Sequence, residues 1–223
     1  MQISAGYWIG NIVVIGLLLM LIGGLIKHHP LGILIDPRNK LSLSRLQVVL
    51  WTLLIVSAFS AIALQSGNVA IYMDPELWAL MAISTGSAAG AVIIKSTKAG
   101  QDPDPTATAV KAAPAAATAA PLGVLVKAAK PRFSDLFKGE EIVDFDYVDI
   151  SKVQMFFFTV ASIVGYTTAL AHNDFCRSLE AGNGAADGYT LFFPPVSTAL
   201  VTLIGISHAG YLTVKAAPHT PTT

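Results

Sequence analysis

His208 is the only ionisable side chain deep inside a long apolar run of this sequence. Its neighbour Ser207 and the hydroxyls of Thr52, Ser87 and Thr159 lie at a similar depth, about 12 Å from the ends of their own runs at the helical rise of 1.5 Å per residue. Polar and ionisable groups at such a depth in a membrane often mark a path for an ion or a small solute. The five residues therefore form a candidate polar layer, although hydrogen bonding between packed helices would use the same residue types.

Motifs for catalysis, cofactors and nucleic acid are missing from the sequence. A haem on His208 would need a second axial ligand at the same depth, and no other histidine lies there. The sequence has no His-Glu-x-x-His, no Gly-rich phosphate loop and no Gly-x-Ser-x-Gly. Metal-ligand spacing and a concentrated basic patch are also absent. We therefore predict no enzymatic activity, no metal, no cofactor and no nucleic-acid partner, and haem is the one cofactor hypothesis left open.

Two of the elements that position the polar layer are copies of each other. Residues 44–52 and 151–159 share a Ser, a basic residue, a Gln and a final Thr at the same spacing, and each stretch opens an apolar run. The next apolar run contains a second shared pattern, Ser followed by Ala-Gly and Lys, at 87–95 and at 207–215. The repeat predicts two tandem helical hairpins of the same orientation that form a four-helix bundle.

Other polar and small residues of the repeats have structural interpretations. Ser44 with Gln47, and Ser151 with Gln154, match the capping box, in which both side chains bind free N–H groups at a helix start. Small residues in the second helix of each hairpin would let neighbouring helices approach closely. These packing residues are Gly86, Gly90, Gly205, Ala209 and Gly210.

Composition places the repeats in a membrane. Of 223 residues, 53% are hydrophobic and 13% are charged, whereas a soluble domain has about 25% charged residues. Apolar runs of about 20 residues, the length that crosses a bilayer, occur at about 8–26, 46–66, 77–95, 153–171 and 195–214. We therefore predict an all-α integral membrane protein with five transmembrane helices, the first of which is an N-terminal anchor.

Basic residues are distributed unequally between the predicted loops. All but one of the 14 Lys and Arg residues lie on one side of the five helices, and Arg177 is the exception. The positive-inside rule makes the crowded side cytoplasmic, so that the N-terminus is outside and the C-terminus is inside. The lone Cys176 then lies outside, as a free thiol or in a disulfide between subunits.

The segments between the helices differ in composition. We divide the chain into an anchor helix with its loop (1–40), a first hairpin (41–95), a linker (96–131), a juxtamembrane segment (132–150), a second hairpin (151–215) and a tail (216–223). The linker is rich in Ala, Pro and Thr, which predicts a flexible cytoplasmic connection. Phe133, Leu136 and Phe137 recur at helical spacing, so the juxtamembrane segment is either an amphipathic docking surface for a partner or a packed lead-in to the fourth helix.

The phrases LSLSRLQVVLWT at 41–52 and VDISKVQMFFFT at 148–159 resemble those of uncharacterised bacterial polytopic inner-membrane proteins. The resemblance implies a bacterial-type inner (cytoplasmic) membrane as the location. It brings no function and no site residues.

Two functions of different classes fit these features. The first is a non-catalytic anchor or scaffold subunit of a larger assembly, which docks a partner at the cytoplasmic face. The alternative is an oligomeric ion channel or small-solute transporter whose path follows the polar layer around His208. The expected partners are the lipid bilayer and either other protein subunits or further copies of this chain.

Overall fold

The structure, a computed structural model, describes residues 4–106, 119–172, 176–178 and 189–222. Within these ranges five long helices follow one another: α1 (Ala5–Lys27), α2 (Leu43–Ser66), α3 (Pro75–Ala99), α4 (Ile150–His172) and α5 (Thr198–Ala216). Each is long and apolar enough to span a membrane. The prediction of a mostly helical chain with five such helices is therefore confirmed.

Local sequence sets the ends of several helices. Pro75 stands in the first turn of α3 directly after Asp74, where the missing N–H of proline costs no hydrogen bond. α2 ends at Gly67, whose φ of 68° lies in the left-handed region that glycine adopts without strain. The Ser197 side chain accepts a hydrogen bond from the N–H of Leu200 and so caps α5.

Helices α2 to α5 pack against one another, and we term these four the helix core. α2 contacts α3 and α4, and α5 contacts the same two helices. Ile62 of α2, Leu77 and Leu80 of α3 and Ile204 of α5 are enclosed on all sides. Side chains enclosed in this way gain van der Waals contacts whether the surroundings are water or lipid.

Helix α1 lies outside the helix core and packs against α2. Its Trp8 is buried and donates a hydrogen bond from the indole N–H to Oγ of Ser57 at 3.1 Å. Near its other end Gly23 touches the following loop so closely that a Cβ there would lie 2.8 Å from the backbone N of Ile33. α1 is thus held at two points, and most of its apolar surface is exposed.

The first helices of the two repeats bury different positions of the shared motif. α2 buries Gln47, whereas α4 exposes Gln154 and buries Met155, the next residue. A shift of one residue corresponds to a rotation of about 100° around the helix axis. The second helices keep a common register, because Ser87 of α3 and Ser207 of α5 are both buried. The Ser and Gln that the two motifs share therefore have different neighbours in α2 and in α4.

Short strands lie at both ends of the helix core. They are β1 (Ile71–Tyr72), β2 (Ala119–Leu122), β3 (Leu125–Ala128), β4 (Cys176–Ser178) and β5 (Tyr189–Phe192). β5 pairs in parallel with β1 and antiparallel with β4, so the two loops at one end join in a small sheet. The turn-rich residues 182–184 and 187–188 lie outside the described residues.

The other end is the one where α2 and α4 begin and α3 and α5 end, and we term it the charged end. Loop 28–42, residues 119–149 and the tail meet there. The N–H of Ala128 donates to the carbonyl of Arg38 at 2.9 Å, and the N–H of Asp104 donates to the carbonyl of Pro221 at 2.9 Å.

β2 and β3 form a hairpin inside the segment predicted as a flexible linker. Gly123 in its turn has a φ of 60°, and a Cβ there would lie 2.5 Å from the carbonyl oxygen of Ala99 at the end of α3. Val124 and Leu125 beside it are buried. This part of the linker is therefore folded against α3, and residues 107–118 lie outside the described residues.

Residues 132–150 contain one short 3-10 helix, Phe133–Leu136. Leu136 is buried, and the ring of Phe137 packs edge-on against Phe156 of α4 with 5.0 Å between centroids. Phe133 is 65% exposed. Leu136 and Phe137 are therefore packed at the start of α4, in agreement with the interpretation of this segment as a lead-in. Of the three candidate docking residues, only Phe133 faces outward. We term residues 122–149 the platform.

Candidate functional site

One carboxylate connects three helix ends at the charged end. Oε1 of Glu140, on the platform, lies 2.9 Å from Nζ of Lys152 at the start of α4 and 4.0 Å from Nζ of Lys95 near the end of α3. Its Oε2 pairs with Lys215 at the end of α5 and lies 3.2 Å from Nη2 of Arg38. Glu140 thus holds α3, α4, α5 and loop 28–42 together.

The charges around them keep the buried carboxylates of this cluster ionised. Burial by itself would raise the pKa of Glu140, but the surrounding positive charges, led by Lys152, outweigh burial and hold that pKa well below its usual value. Burial also opposes ionisation of Asp36, whereas Arg38 at 2.7 Å and Lys95 at 3.0 Å lower its pKa to about 2. Both groups are therefore charged at neutral pH.

A second carboxylate fixes the end of α5 and the tail. Glu141 accepts hydrogen bonds from Nζ of Lys98 at 2.5 Å and from the backbone N–H groups of His219 and Thr220 at 3.1 Å and 2.6 Å. Lys98 also donates to the carbonyl of Lys215 at 2.6 Å. A cation at the C-terminus of a helix satisfies free carbonyl groups and offsets the negative end of the helix dipole.

A cleft of about 350 Å³ opens beside the platform, with Lys40 in its wall. Lys40 is 6% exposed, and no carboxylate of the described residues forms an ion pair with it. The other charged lining residues are Lys130, Arg132, Asp135, Lys138 and Asp146. With four basic and two acidic residues in its walls, the cleft has the charge that attracts an anionic group.

Replacing Lys40 with Met should stabilise the folded protein by about 1–3 kcal/mol at pH 7. Burial, assisted by the charge of Arg38, lowers the pKa of Lys40 to about 8 in the folded state from 10.5. Between these values the unfolded chain binds the proton more tightly, so the wild type gains stability as the pH rises through the window. The advantage of the variant should therefore shrink from pH 8 to pH 10, as measured by thermal unfolding in detergent. If the stability advantage of the variant grew over this range, the pKa of Lys40 would not be lowered in the folded state.

His208, a member of the predicted polar layer, binds a side chain of another helix inside the helix core. The side-chain amide of Gln47 donates a hydrogen bond to Nε2 of His208, which joins α2 to α5. Oγ of Ser44 lies 3.0 Å from the hydroxyl of Tyr211, one turn closer to the charged end. These contacts bind α2 to α5 across the centre of the core.

The remaining residues of the layer have separate surroundings. The hydroxyls of Ser87 and Ser207 are buried and have no hydrogen-bond partner among the described residues. Oγ1 of Thr159 donates to the carbonyl of Met155 in its own helix at 2.8 Å. Thr52 lines a cavity beside α1 instead of facing the interior. Four members of the layer are therefore buried in the core, and Thr52 lies outside it; the four are Ser87, Thr159, Ser207 and His208.

The Ser and Gln residues predicted as helix caps have other roles. Ser44 and Gln47 bind side chains of α5, and α2 begins at Leu43, two residues earlier than a cap at Ser44 requires. At α4 the carboxylate of Asp149 accepts from the N–H and the hydroxyl of Ser151, at 2.9 Å and 2.5 Å. Gln154 is exposed. Because α4 begins at Ile150, Asp149 occupies the N-cap position and Ser151 already lies inside the helix.

The predicted packing residues are also only partly at contacts between helices. A Cβ on Gly90 would lie 3.3 Å from Cδ1 of Leu212, and a Cβ on Gly205 would lie 3.7 Å from Cδ1 of Ile83, so both glycines face the α3–α5 contact. A Cβ on Gly86 or Gly210 would meet nothing within 4 Å, and Ala209 is exposed.

A double-mutant cycle should give a coupling of about 1 kcal/mol between Gln47 and His208. Changing either residue alone to Leu leaves the other as a buried polar group without its partner, which costs about 1–3 kcal/mol. Changing both should cost less than the sum of the single changes. Thermal unfolding of the four proteins in one detergent would measure the coupling, and additive effects would contradict the contact.

Apolar side chains fill the core on the side of the layer away from the charged end. Leu54, Ala58 and Ile62 of α2 and Leu80 of α3 are buried there, together with Ile204 of α5. The buried hydroxyls of Ser57, Ser84 and Ser162 lie among them, so this part of the core is mainly, but not entirely, apolar.

Sequence reasoning missed the ion-pair cluster. The Lys that closes each repeat, Lys95 and Lys215, was a partial signal, because a Lys that packs between helices is usually paired with a carboxylate. In the part of the chain that the structure describes, no three His, Cys, Asp or Glu residues are grouped so that they could hold a metal ion.

Comparison with protein-family models, curated proteins and solved structures found no match to this chain.

Proposed function

We propose that this protein is a non-catalytic membrane anchor, which spans a bacterial-type inner membrane with five helices and holds a partner protein on its cytoplasmic platform. Helices α2 to α5 are two tandem hairpins in a four-helix bundle, with the N-terminus outside and the platform inside. The observation that carries the proposal is the cleft beside the platform, in whose wall Lys40 is buried without an ion pair to any carboxylate of the described residues.

Attachment of the platform to the helix ends supports this role. Glu140 and Glu141 tie the platform to α3, α4 and α5 through ion pairs that are shielded from solvent. A binding surface fixed in this way loses little conformational entropy when a partner binds, which favours affinity. A flexible linker would lack this advantage.

The chemistry of the cleft identifies the kind of partner. A buried ammonium group keeps its charge at less cost when a carboxylate enters beside it. Lys130 and Arg132 are exposed close to the cleft, and the exposed ring of Phe133 follows them in the chain. We therefore expect an acidic segment of a protein that also carries an apolar side chain for Phe133.

Purification of the full chain from native membranes in a mild detergent tests the proposal. Mass spectrometry should find a larger partner at a stoichiometric ratio. Replacing Lys130 and Arg132 together with Gln should reduce the retained partner at least tenfold, because two charge contacts are lost. Replacing Phe133 with Ala should act in the same direction.

Lys27 and Lys127 provide a matched control, because both are exposed at the same end and neither lines the cleft. Replacing these two with Gln removes the same charge and should leave the partner bound. If both double variants lost the partner, the partner would be held by nonspecific charge attraction and not by the cleft. A homo-oligomer without any partner would contradict the anchor function.

A channel or small-solute transporter is the second candidate, and the unpartnered hydroxyls of Ser87 and Ser207 near His208 favour it. Such groups could bind water or an ion, and an oligomer could complete the path. Bilayer recordings of the wild type and of His208→Ala would separate the two functions. Conductance that changes in the variant supports a channel, whereas partner capture without conductance supports the anchor.

A further inference from the structure

We infer that a groove along α2 and α3 binds one anionic phospholipid, whose phosphate group contacts Arg45 and whose two acyl chains lie on either side of Val48. The inference requires the helices to lie in a bilayer, but it does not depend on a partner protein.

Arg45 has free capacity to bind an anion. One of its amino groups donates to the carbonyl of Ile35 at 2.9 Å and to that of Ile33 at 3.4 Å. No carboxylate of the described residues forms an ion pair with it. A guanidinium group has five N–H donors, so several remain for a phosphate, which it can bind through two parallel hydrogen bonds.

Arg45 stands where two cavities meet. A cavity of about 580 Å³ lies between α2 and α3, and another of about 330 Å³ lies between α1 and α2. Arg45, Val48 and Ala88 line both of them. A single headgroup on Arg45 could therefore send one acyl chain into each cavity.

The charged residues of the lining are confined to the charged end, and the deeper lining is uncharged, as in a phospholipid; the charged residues are Asp36, Arg38, Arg45 and Lys95. Arg45 lies in the first turn of α2, at the charged end. Val48 follows about one turn deeper and Thr52 about two turns deeper, at 5.4 Å per turn. On α3 the groove passes from Ser96 to Val92 and Ala88. Basic pockets between helices on the cytoplasmic side of a membrane are suited to anionic lipid headgroups.

The one-residue rotation between the repeats explains why only one such site exists among the described residues. Lys152 occupies the position of Arg45 in the second repeat, but it faces the interior and pairs with Glu140. Arg45 faces outward between α2 and the loop after α1. The first repeat therefore keeps its basic residue available for a ligand.

Native mass spectrometry of the delipidated full chain, with phosphatidylglycerol or phosphatidylcholine added at equal concentration, tests the site. We expect one phosphatidylglycerol to bind at least about fivefold more tightly than phosphatidylcholine, the difference expected for one headgroup charge near a basic side chain. Arg45→Gln should remove this preference. Ala88→Phe should block the groove and weaken the binding of both lipids, without a change in the charge of the protein.

Lys127→Gln is the matched control, because it removes an exposed charge at the same end outside the groove, and it should keep the preference. Thermal unfolding of each variant shows that it is folded. The inference is overturned if the wild type binds both lipids equally, if Arg45→Gln keeps the preference, or if a cross-linker placed at Ala88 captures a helix of another protein instead of lipid.

Discussion

Replacing Glu140 with Gln should destabilise the folded protein by about 3–5 kcal/mol, the cost of removing one partner from a buried ion-pair network. Gln has nearly the same shape, so the change isolates the charge. Lys152 and Lys215 would lose their paired carboxylate, and Lys95 and Arg38 would lose part of their compensation. Thermal unfolding in detergent, followed by the fluorescence of the buried Trp51, measures the effect.

Asp146→Asn is the control for this change. Asp146 is exposed and lies 3.9 Å from Lys138, so its removal should alter stability by less than about 0.5 kcal/mol. The double variant Glu140→Gln with Lys215→Met should recover part of the lost stability, because one uncompensated cation is removed with the carboxylate. If Glu140→Gln unfolds at the temperature of the wild type, the cluster does not hold the helix ends together.

Acid should destabilise the protein between pH 4 and pH 2, and Asp36 should account for about 2 kcal/mol of the loss. Its pKa is about 2 in the folded state against 3.8 in the unfolded chain, because Arg38 and Lys95 outweigh burial. In this window the unfolded chain binds a proton that the folded chain does not. The stabilisation by ionised Asp36 is therefore complete above pH 4, and it is lost as the pH falls through the pKa of Asp36 in the folded state.

The variant Asp36→Asn tests the assignment. It should be less stable than the wild type at pH 7, and the difference should narrow as the pH falls towards 2. The remaining acid sensitivity should come mainly from Glu140, whose pKa is also held low. Unfolding temperatures of both proteins at several pH values provide the measurement. A constant difference across the range would show that Asp36 does not titrate as stated.

The five helices could be predicted from sequence because length and hydropathy act along the chain. Each apolar run is long enough to cross a bilayer, and neighbours in space add nothing to that requirement. The assignment of Ser44 and Gln47 as caps failed for the opposite reason. Their side chains bind Tyr211 and His208, and which face of α2 turns toward α5 is decided by packing between distant segments.

The shared Lys of the two repeats hints at a carboxylate partner, but the identity of that partner could not be predicted, for a similar reason. Glu140 stands in a stretch that mixes apolar and acidic residues, and its four basic partners come from four separate parts of the chain. No local pattern relates them. The depth of Ser87, Ser207 and His208 was predictable, since it follows from the helical rise, but the outward direction of Thr52 was not.

The position of Glu140 along the chain also orders events during synthesis. Arg38 and Lys95 leave the ribosome before Glu140, whereas Lys152 and Lys215 follow it. The cluster therefore cannot close until α5 has been made. Until then an incomplete chain exposes unpaired ions and free helix ends, which are features that proteolytic quality control can detect. Completion of α5 would remove that signal, so a chain stalled before α5 should be degraded faster than the finished protein.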